Sequence, residues 1–150
     1  QRARLSEAIL AFEETSKRLY ESAGSMNVEE TSNGPVFPFR MQGSRSKGIK
    51  NMQIFCFDMM LMRLCGKRGI GPRFLIHDSH LFDGVDGRQL ISALKVGAET
   101  ATEVGFQYIV TMNEDDAFKE TVAGFNLRDH VLPTVFTDAK EDGGLFGFRF

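Results

Sequence analysis

A short apolar run that ends at an aspartate constrains this chain more than any other feature. Phe74, Leu75 and Ile76 are followed by His77, and Asp78 ends the run. Such a run is typical of a buried strand in a parallel sheet, which would carry Asp78 to the carboxyl edge of that sheet. Open α/β sheets bind their ligands at this edge. The run therefore predicts an α/β fold with a ligand site near Asp78.

The flanking sequence predicts the helices and the second strand that such a sheet needs. Apolar residues recur at helical spacing over roughly residues 2–22 and over Ile49–Cys65. Asp86 is a good first cap for a helix that continues to about Val104 and ends at Gly105. A second apolar run, Phe106–Thr111, follows that helix. We therefore expect a right-handed parallel strand–helix–strand crossover.

Outside this unit the sequence predicts an antiparallel hairpin. Met26–Thr31 and Val36–Gln42 are strand-like, and Asn33-Gly34 between them is a strong turn signal. The fold expected is a short, mainly parallel sheet flanked by helices, plus this hairpin. Weaker patterns predict three further elements, a helix over 115–122 and strands over Val131–Phe136 and Leu145–Phe150.

Length and composition indicate one globular domain over residues 1–150. The apolar share is 42%, the charged share is 25%, and no apolar run approaches the roughly 18 residues of a membrane span. Cys56 and Cys65 lie about 13 Å apart along one predicted helix, too far for a disulfide, so a cytoplasmic location is expected. Residues 1–23 could end a coiled-coil helix, with 24–150 as the globular lobe. We expect the chain to be part of a longer protein.

Charge is distributed unevenly along the sequence. The segment from Arg40 to Arg73 holds eight basic residues and one acid, Asp58, while the whole chain carries −2. A solvated basic face would explain this segment. A surface that binds phosphate or nucleic acid, including DNA, would explain it equally well.

Several acidic and histidine side chains crowd the residues around Asp78. A carboxylate at this position could hold Mg²⁺, or it could simply cap the next turn. Clusters of this kind also build self-contained two-metal phosphoesterases, which is a second hypothesis. However, His77 and Asp78 point to opposite faces of the strand. The neighbours in question are His77, His80, Asp83 and Asp86.

Two more segments could reach a phosphate-bearing ligand. Ser46, Lys47 and Gly48 precede a helix, where exposed N–H groups bind anions, although a plain helix cap is the simpler interpretation. Asn113 follows the second predicted strand and would face the same crevice as Asp78, unless it only turns the loop.

In this order, these segments resemble the C-terminal lobe of an ABC-type ATPase head of the SMC and RecN class. The match is closer to the C-terminal domain of YydD-like, SMC-related proteins, an uncharacterised family with some members in ABC-three-component defence systems. That resemblance rests on Phe55–Asp58, His77–Asp86, Gln107–Ile109 with Met112-Asn113, and Leu145–Phe148. Within it, Ser46–Gly48 resembles the signature motif, Phe74–Asp78 the Walker B strand, Gly84–Asp86 the D-loop and Tyr108–Asn113 the switch strand.

The resemblance implies half of an ATP site. Asp78 would position Mg²⁺, and the signature would contact nucleotide held by a partner head, so that ATP joins two heads. Because GxxxxGK[ST] is absent from the chain, ATP and Mg²⁺ would bind only together with an N-terminal lobe of the same protein. The residues expected to contact nucleotide are Ser46, Lys47, Gly48, Asp86 and Asn113.

One departure leaves catalysis open. SMC-class heads place a glutamate directly after the Walker B aspartate, whereas this chain has Ser79. Either His80 or Asp83 could act as the base in its place, and Asp83 could also orient His80. The catalytic candidates are His80 and Ser79. The alternative function is a non-catalytic scaffold for dimerisation or nucleic-acid binding.

Overall fold

Three helices are the longest elements of the chain that the structure describes. The structure is a computed structural model, and it describes residues 2–20, 23–41, 46–113, 120–137 and 139–148. The helices in these residues are α1 (Arg2–Leu19), α2 (Lys47–Arg68) and α3 (Gly87–Val104). None of the described helices is long and apolar enough to cross a membrane.

The helices begin and end at residues whose local chemistry favours these boundaries. The Ser46 hydroxyl accepts a hydrogen bond from the Ile49 N–H at the start of α2, and Gly69, in the left-handed region at φ 65°, ends that helix. The Asp86 carboxylate accepts from the Arg88 N–H at the start of α3, and Gly105 ends α3 in the same way. The three predicted helices are therefore confirmed, and α2 is about one turn longer than predicted.

The core lies between the three helices, and α2 is at its centre. Met52, Phe55 and Met59 of α2 are fully buried, with Phe12 of α1 and Ile91 of α3 beside them. Ion pairs connect the helices at the rim of this core. They are Arg18–Glu99 between α1 and α3, Glu7 with Lys67 and Arg68 between α1 and α2, and Arg63–Glu103 between α2 and α3.

The two apolar runs, one before α3 in sequence and one after it, form a parallel pair of strands, as predicted. Strand β5 (Phe74–His77) pairs with β6 (Gln107–Val110) in a sheet of two strands, with Ile76 opposite Ile109. The prediction of a buried strand is only half right. The helices cover one face of the sheet, while on the other face Phe74 and Ile76 remain 52% and 55% exposed.

The predicted antiparallel hairpin is confirmed, but each of its strands is divided. Strand β2 (Glu29–Thr31) pairs with β3 (Gly34–Val36), and β1 (Ser25–Met26) pairs with β4 (Phe39–Arg40). The interruption falls at Pro38, which has no N–H to donate to a ladder. Its carbonyl still accepts a hydrogen bond from the Asn27 N–H, at 3.0 Å.

The late strands predicted from apolar patterning are wrong within the described residues. A 3₁₀ turn, Leu127–His130, precedes 131–137 and 139–148, and neither of those ranges contains a strand. Apolar side chains there are exposed rather than aligned against a neighbouring strand. The helix predicted over 115–122 lies mostly outside the described residues, and its described end, 120–122, is not helical.

Candidate functional site

Asp78 lies at the carboxyl end of β5, where the sequence predicted a ligand-binding edge. Its Oδ1 accepts a hydrogen bond from the His80 N–H at 2.9 Å, and its Oδ2 accepts from the Thr111 hydroxyl at 3.4 Å. The His80 N–H lowers the pKa of Asp78 most, and the His80 ring and the Thr111 hydroxyl lower it further. The carboxylate therefore caps the turn that follows, and it is also anionic and accessible to a cation.

His80 and Asp83 lie together on the 3₁₀ turn Ser79–Phe82 and its end. The His80 side chain is 88% exposed, and its Nδ1 lies 3.7 Å from Asp83 Oδ2 and 3.9 Å from Asp78 Oδ1. The predicted proximity of His80 and Asp83 is thus present.

The N-terminus of α2 is docked against this same turn. Lys47 Nζ donates to Asp83 Oδ2 at 3.0 Å, and Asn51 Nδ2 donates to the carbonyls of His80 and Asp83. Gly48 approaches the backbone of Gly84 so closely that an added Cβ would lie 2.2 Å from the Gly84 oxygen. The sequence analysis missed Asn51 and the reason for glycine at position 48, since both depend on a tertiary contact.

A cavity of about 340 Å³ opens between this turn, the start of α3 and the segment after β6. It brings Ser79 and Asn113 to one space, with Asp83, Gly87 and Glu120 at its wall. Asp78 and Ser46 do not line this cavity. Asp86 stands at the first turn of α3, where its carboxylate is engaged as a helix cap. The predicted residues therefore surround one edge of the sheet rather than a single enclosed pocket.

A buried polar group behind Asp78 was not predicted as part of a site. His77 is only 6% exposed; its Nε2 lies 3.1 Å from Asp58 Oδ2, and its Nδ1 lies 2.9 Å from the Tyr108 hydroxyl. Burial, followed by the nearby Asp58 charge, raises the pKa of Tyr108. We call these three residues the His77 bridge. A sequence signal existed, because Asp58 interrupts an apolar helix and His77 lies on the inward face of its strand.

The described residues offer no complete protein metal site. No group of three or more His, Cys, Asp or Glu side chains among them could hold a metal ion. Within this part of the chain, the hypothesis of a self-contained two-metal phosphoesterase therefore lacks a ligand set. Both cysteines are free, and burial raises the pKa of Cys56 to about 12, which makes it a poor nucleophile.

Much of the basic segment is paired with acidic side chains. Lys47, Arg63, Lys67 and Arg68 each form an ion pair with an acid from outside the segment. Arg45 lies outside the described residues. These pairs reduce the free positive charge that a polyanion would meet, and they favour the solvated-face interpretation.

The helices, the parallel pair and the hairpin define a small α/β domain with short sheets of both kinds. The chain belongs to the family described as an uncharacterised protein conserved in bacteria, DUF2326, whose model matches residues 15–150. The predicted membership of an uncharacterised domain family is thereby confirmed. No curated protein and no solved structure matches the chain. The link to SMC-related ATPases stays a prediction.

Proposed function

We propose that this domain is the C-terminal half of an SMC-like ATPase head and contributes to ATP-dependent head dimerisation. The observation that carries the proposal is the end of β5. An exposed carboxylate of lowered pKa stands at the carboxyl edge of a parallel strand and shares a hydrogen bond with Thr111 beyond the neighbouring strand. This is the position at which α/β nucleotide-binding folds place a magnesium ligand.

The incomplete sheet supports the same proposal. In the described residues β5 pairs only with β6, and Phe74 and Ile76 are exposed on the uncovered face. Parallel sheets are almost always covered on both faces, and most sheets contain more than two strands. An N-terminal lobe that carries the phosphate-binding loop would supply both the missing strands and the missing nucleotide contacts.

The residues at the edge fit the roles that this function requires. Asp78 has lone pairs free and would hold Mg²⁺, which would supply positive charge to offset that of the ATP phosphates. Ser46, Lys47 and Gly48 would meet nucleotide bound to a second head. Lys47 must first leave Asp83, and this costs little because exposed ion pairs are weak. Asp86 and Asn113 flank the interface that two heads would share.

Catalysis within this proposal depends on the residue that orients the attacking water. Ser79 is neutral and can only hydrogen-bond, which favours an ATP-gated clamp without turnover. His80 is exposed beside Asp83 and is the residue in this turn that could take the role of the missing glutamate. We therefore propose that the complete protein binds ATP, with or without hydrolysis.

Magnesium-dependent ATP binding by the complete protein tests the proposal. We expect Asp78→Asn to lower the affinity for Mg²⁺-ATP at least about tenfold and to abolish ATP-dependent dimerisation, since a direct ligand is lost. Glu29→Gln, an exposed carboxylate on the hairpin, is the matched control and should change neither. Isothermal titration and light scattering would measure the two effects. Equal affinities in wild type and Asp78→Asn would refute the assignment of this edge.

A further inference from the structure

The His77 bridge joins the three elements on which the proposed site is built. Asp58 belongs to α2, the helix that begins beside the Asp83 turn. His77 is the last residue of β5 and directly precedes Asp78. Tyr108 belongs to β6, after which Thr111 reaches the Asp78 carboxylate. One imidazole therefore contacts all three elements at a point adjacent to Asp78.

The His77 ring lies in apolar surroundings, so the loss of either of its two hydrogen bonds would cost stability. Its ring packs between Phe55 and Phe82, with centroid distances of 5.8 and 6.5 Å. A carboxylate can only accept, so Nε2–H donates to Asp58, and in the neutral imidazole Nδ1 accepts from the Tyr108 hydroxyl. In apolar surroundings, a buried polar atom that loses its partner is not compensated by water.

We propose that His77 is a positioning residue for Asp78. Held at both ring nitrogens, it fixes the carboxyl end of β5 between α2 and β6. Side chains alternate across a strand, so His77 points inward while the next residue, Asp78, points to the outer edge. Contacts that fix the His77 side chain therefore also fix the backbone from which the Asp78 side chain projects. The consequence for metal binding rests on the proposed function, but the positioning itself does not.

Main-chain contacts show how position is transmitted. The His77 carbonyl accepts a hydrogen bond from the Thr111 N–H at 3.1 Å, and the Thr111 hydroxyl then donates to Asp78. The Asp78 carboxylate in turn accepts a hydrogen bond from the His80 N–H. The protection of the His80 amide from exchange thus reports where the Asp78 side chain is, without any nucleotide.

Two tyrosine substitutions give a matched comparison. The chain has two tyrosines, and the hydroxyl of Tyr20, at the end of α1, is buried with no hydrogen-bond partner among the described residues. Tyr108→Phe removes one hydroxyl from the His77 bridge and keeps the ring. Tyr20→Phe removes a hydroxyl that has no such contact. We expect amide exchange of His80, measured by NMR on the 150-residue chain, to accelerate about three- to tenfold in Tyr108→Phe only.

A double-mutant cycle in the complete protein then separates positioning from general weakening. We expect Tyr108→Phe to raise the Mg²⁺ concentration for half-maximal ATP binding by about three- to tenfold. In an Asp78→Asn background the same substitution should have no further effect, because it acts through Asp78. Additive effects in the two backgrounds would show that Tyr108 acts elsewhere and would overturn the proposal.

His80 amide exchange and Mg²⁺-dependent ATP binding test the positioning role and the proposed function separately. Unchanged His80 exchange in Tyr108→Phe overturns the positioning role, whatever the protein binds. Accelerated exchange in a protein that binds no Mg²⁺-ATP supports the positioning role and overturns the proposed function instead.

Discussion

The segment 46–113 and the later segment, 131–137 with 139–148, are both rich in apolar side chains, but only the first packs them into a core. In 46–113 the large apolar residues of α2 and α3 fill the core, and polar contacts secure each end of the helices. In the later segment, Leu132, Val135 and Leu145 are among the most exposed large apolar residues of the described chain. Apolar content alone therefore does not decide structure.

The difference lies in whether a complementary surface is present. Helix α2 has α1 on one side and α3 with the Ser79–Phe82 turn on the others, so most of its large apolar residues are buried or partly buried, and only Ile54 and Leu61 stay exposed. In the described residues the later segment has no paired strand and no covering helix. The outer face of β5 is in the same condition, since Phe74 and Ile76 are exposed there. Two apolar surfaces thus lack cover within the part of the chain that the structure describes.

The largest expected contrast is between two phenylalanines, one from each region. Phe55 is fully buried against His77, so Phe55→Ala should destabilise the fold by about 3–5 kcal/mol through lost burial and a residual cavity. Phe136 is 51% exposed, and Phe136→Ala should change stability by about 0.5 kcal/mol or less. Urea unfolding followed by circular dichroism measures both. Similar losses in the two variants would mean that 131–148 is packed in solution and would break the comparison.

A glycine pair tests the close approach at the proposed site. Gly48→Ala would gain up to about 1 kcal/mol of helix propensity, but its Cβ would meet the Gly84 backbone, and overpacking costs about 1–3 kcal/mol. Because backbone cannot move aside as a flexible side chain can, we expect a net loss of stability.

The control for this glycine is Gly144 in the later segment. Its added Cβ would lie 3.5 Å from the nearest atom, the Phe148 oxygen, so Gly144→Ala should be close to neutral. Thermal unfolding of both variants gives the comparison. A stabilised Gly48→Ala would show that the α2 terminus is not held against Gly84.

Local signals explain which parts of the fold could be predicted. Ser46, Gly69, Asp86 and Gly105 mark helix ends through contacts within a few residues, and the helices were predicted accordingly. The strand pair followed from two apolar runs around α3. The exposure of Ile76 could not be predicted, because the same apolar run describes a strand covered on one face or on both. The late strands failed for a related reason, since pattern does not supply a pairing neighbour.

The candidate site was predictable in part for similar reasons. Asp78 and Asn113 follow strands, and strand direction brings both to one edge. Asn51 contacts the Ser79–Phe82 turn and its end, and the His77 bridge joins α2, β5 and β6. These contacts join residues 19 to 32 positions apart, so no local pattern predicts them. A buried histidine on the inward face of a strand is the signal that deserved more weight.

The smallest expected effect concerns the rim of the core, where Glu7 of α1 contacts Lys67 and Arg68 of α2. The hydrogen bond from Lys67 lowers the pKa of Glu7 most, with Arg68 adding to it. A depressed carboxyl pKa stabilises the fold above the unfolded-state pKa, and that stability is lost as the pH falls through the folded value. Glu7→Gln should therefore lower the urea midpoint slightly at pH 7, and the difference from wild type should shrink as the pH falls below the ordinary glutamate pKa of about 4.3 and vanish below the lowered folded-state pKa.

Glu141 of the later segment provides the matched control, since it is exposed in a turn. Glu141→Gln should leave the urea midpoint unchanged at both pH values. A difference between Glu7→Gln and wild type that persists at low pH would show that Glu7 acts through packing rather than charge. Added salt should shrink the effect at pH 7, because exposed ion pairs are screened. The helical region would then differ from the later segment in its rim charges as well as in its buried core.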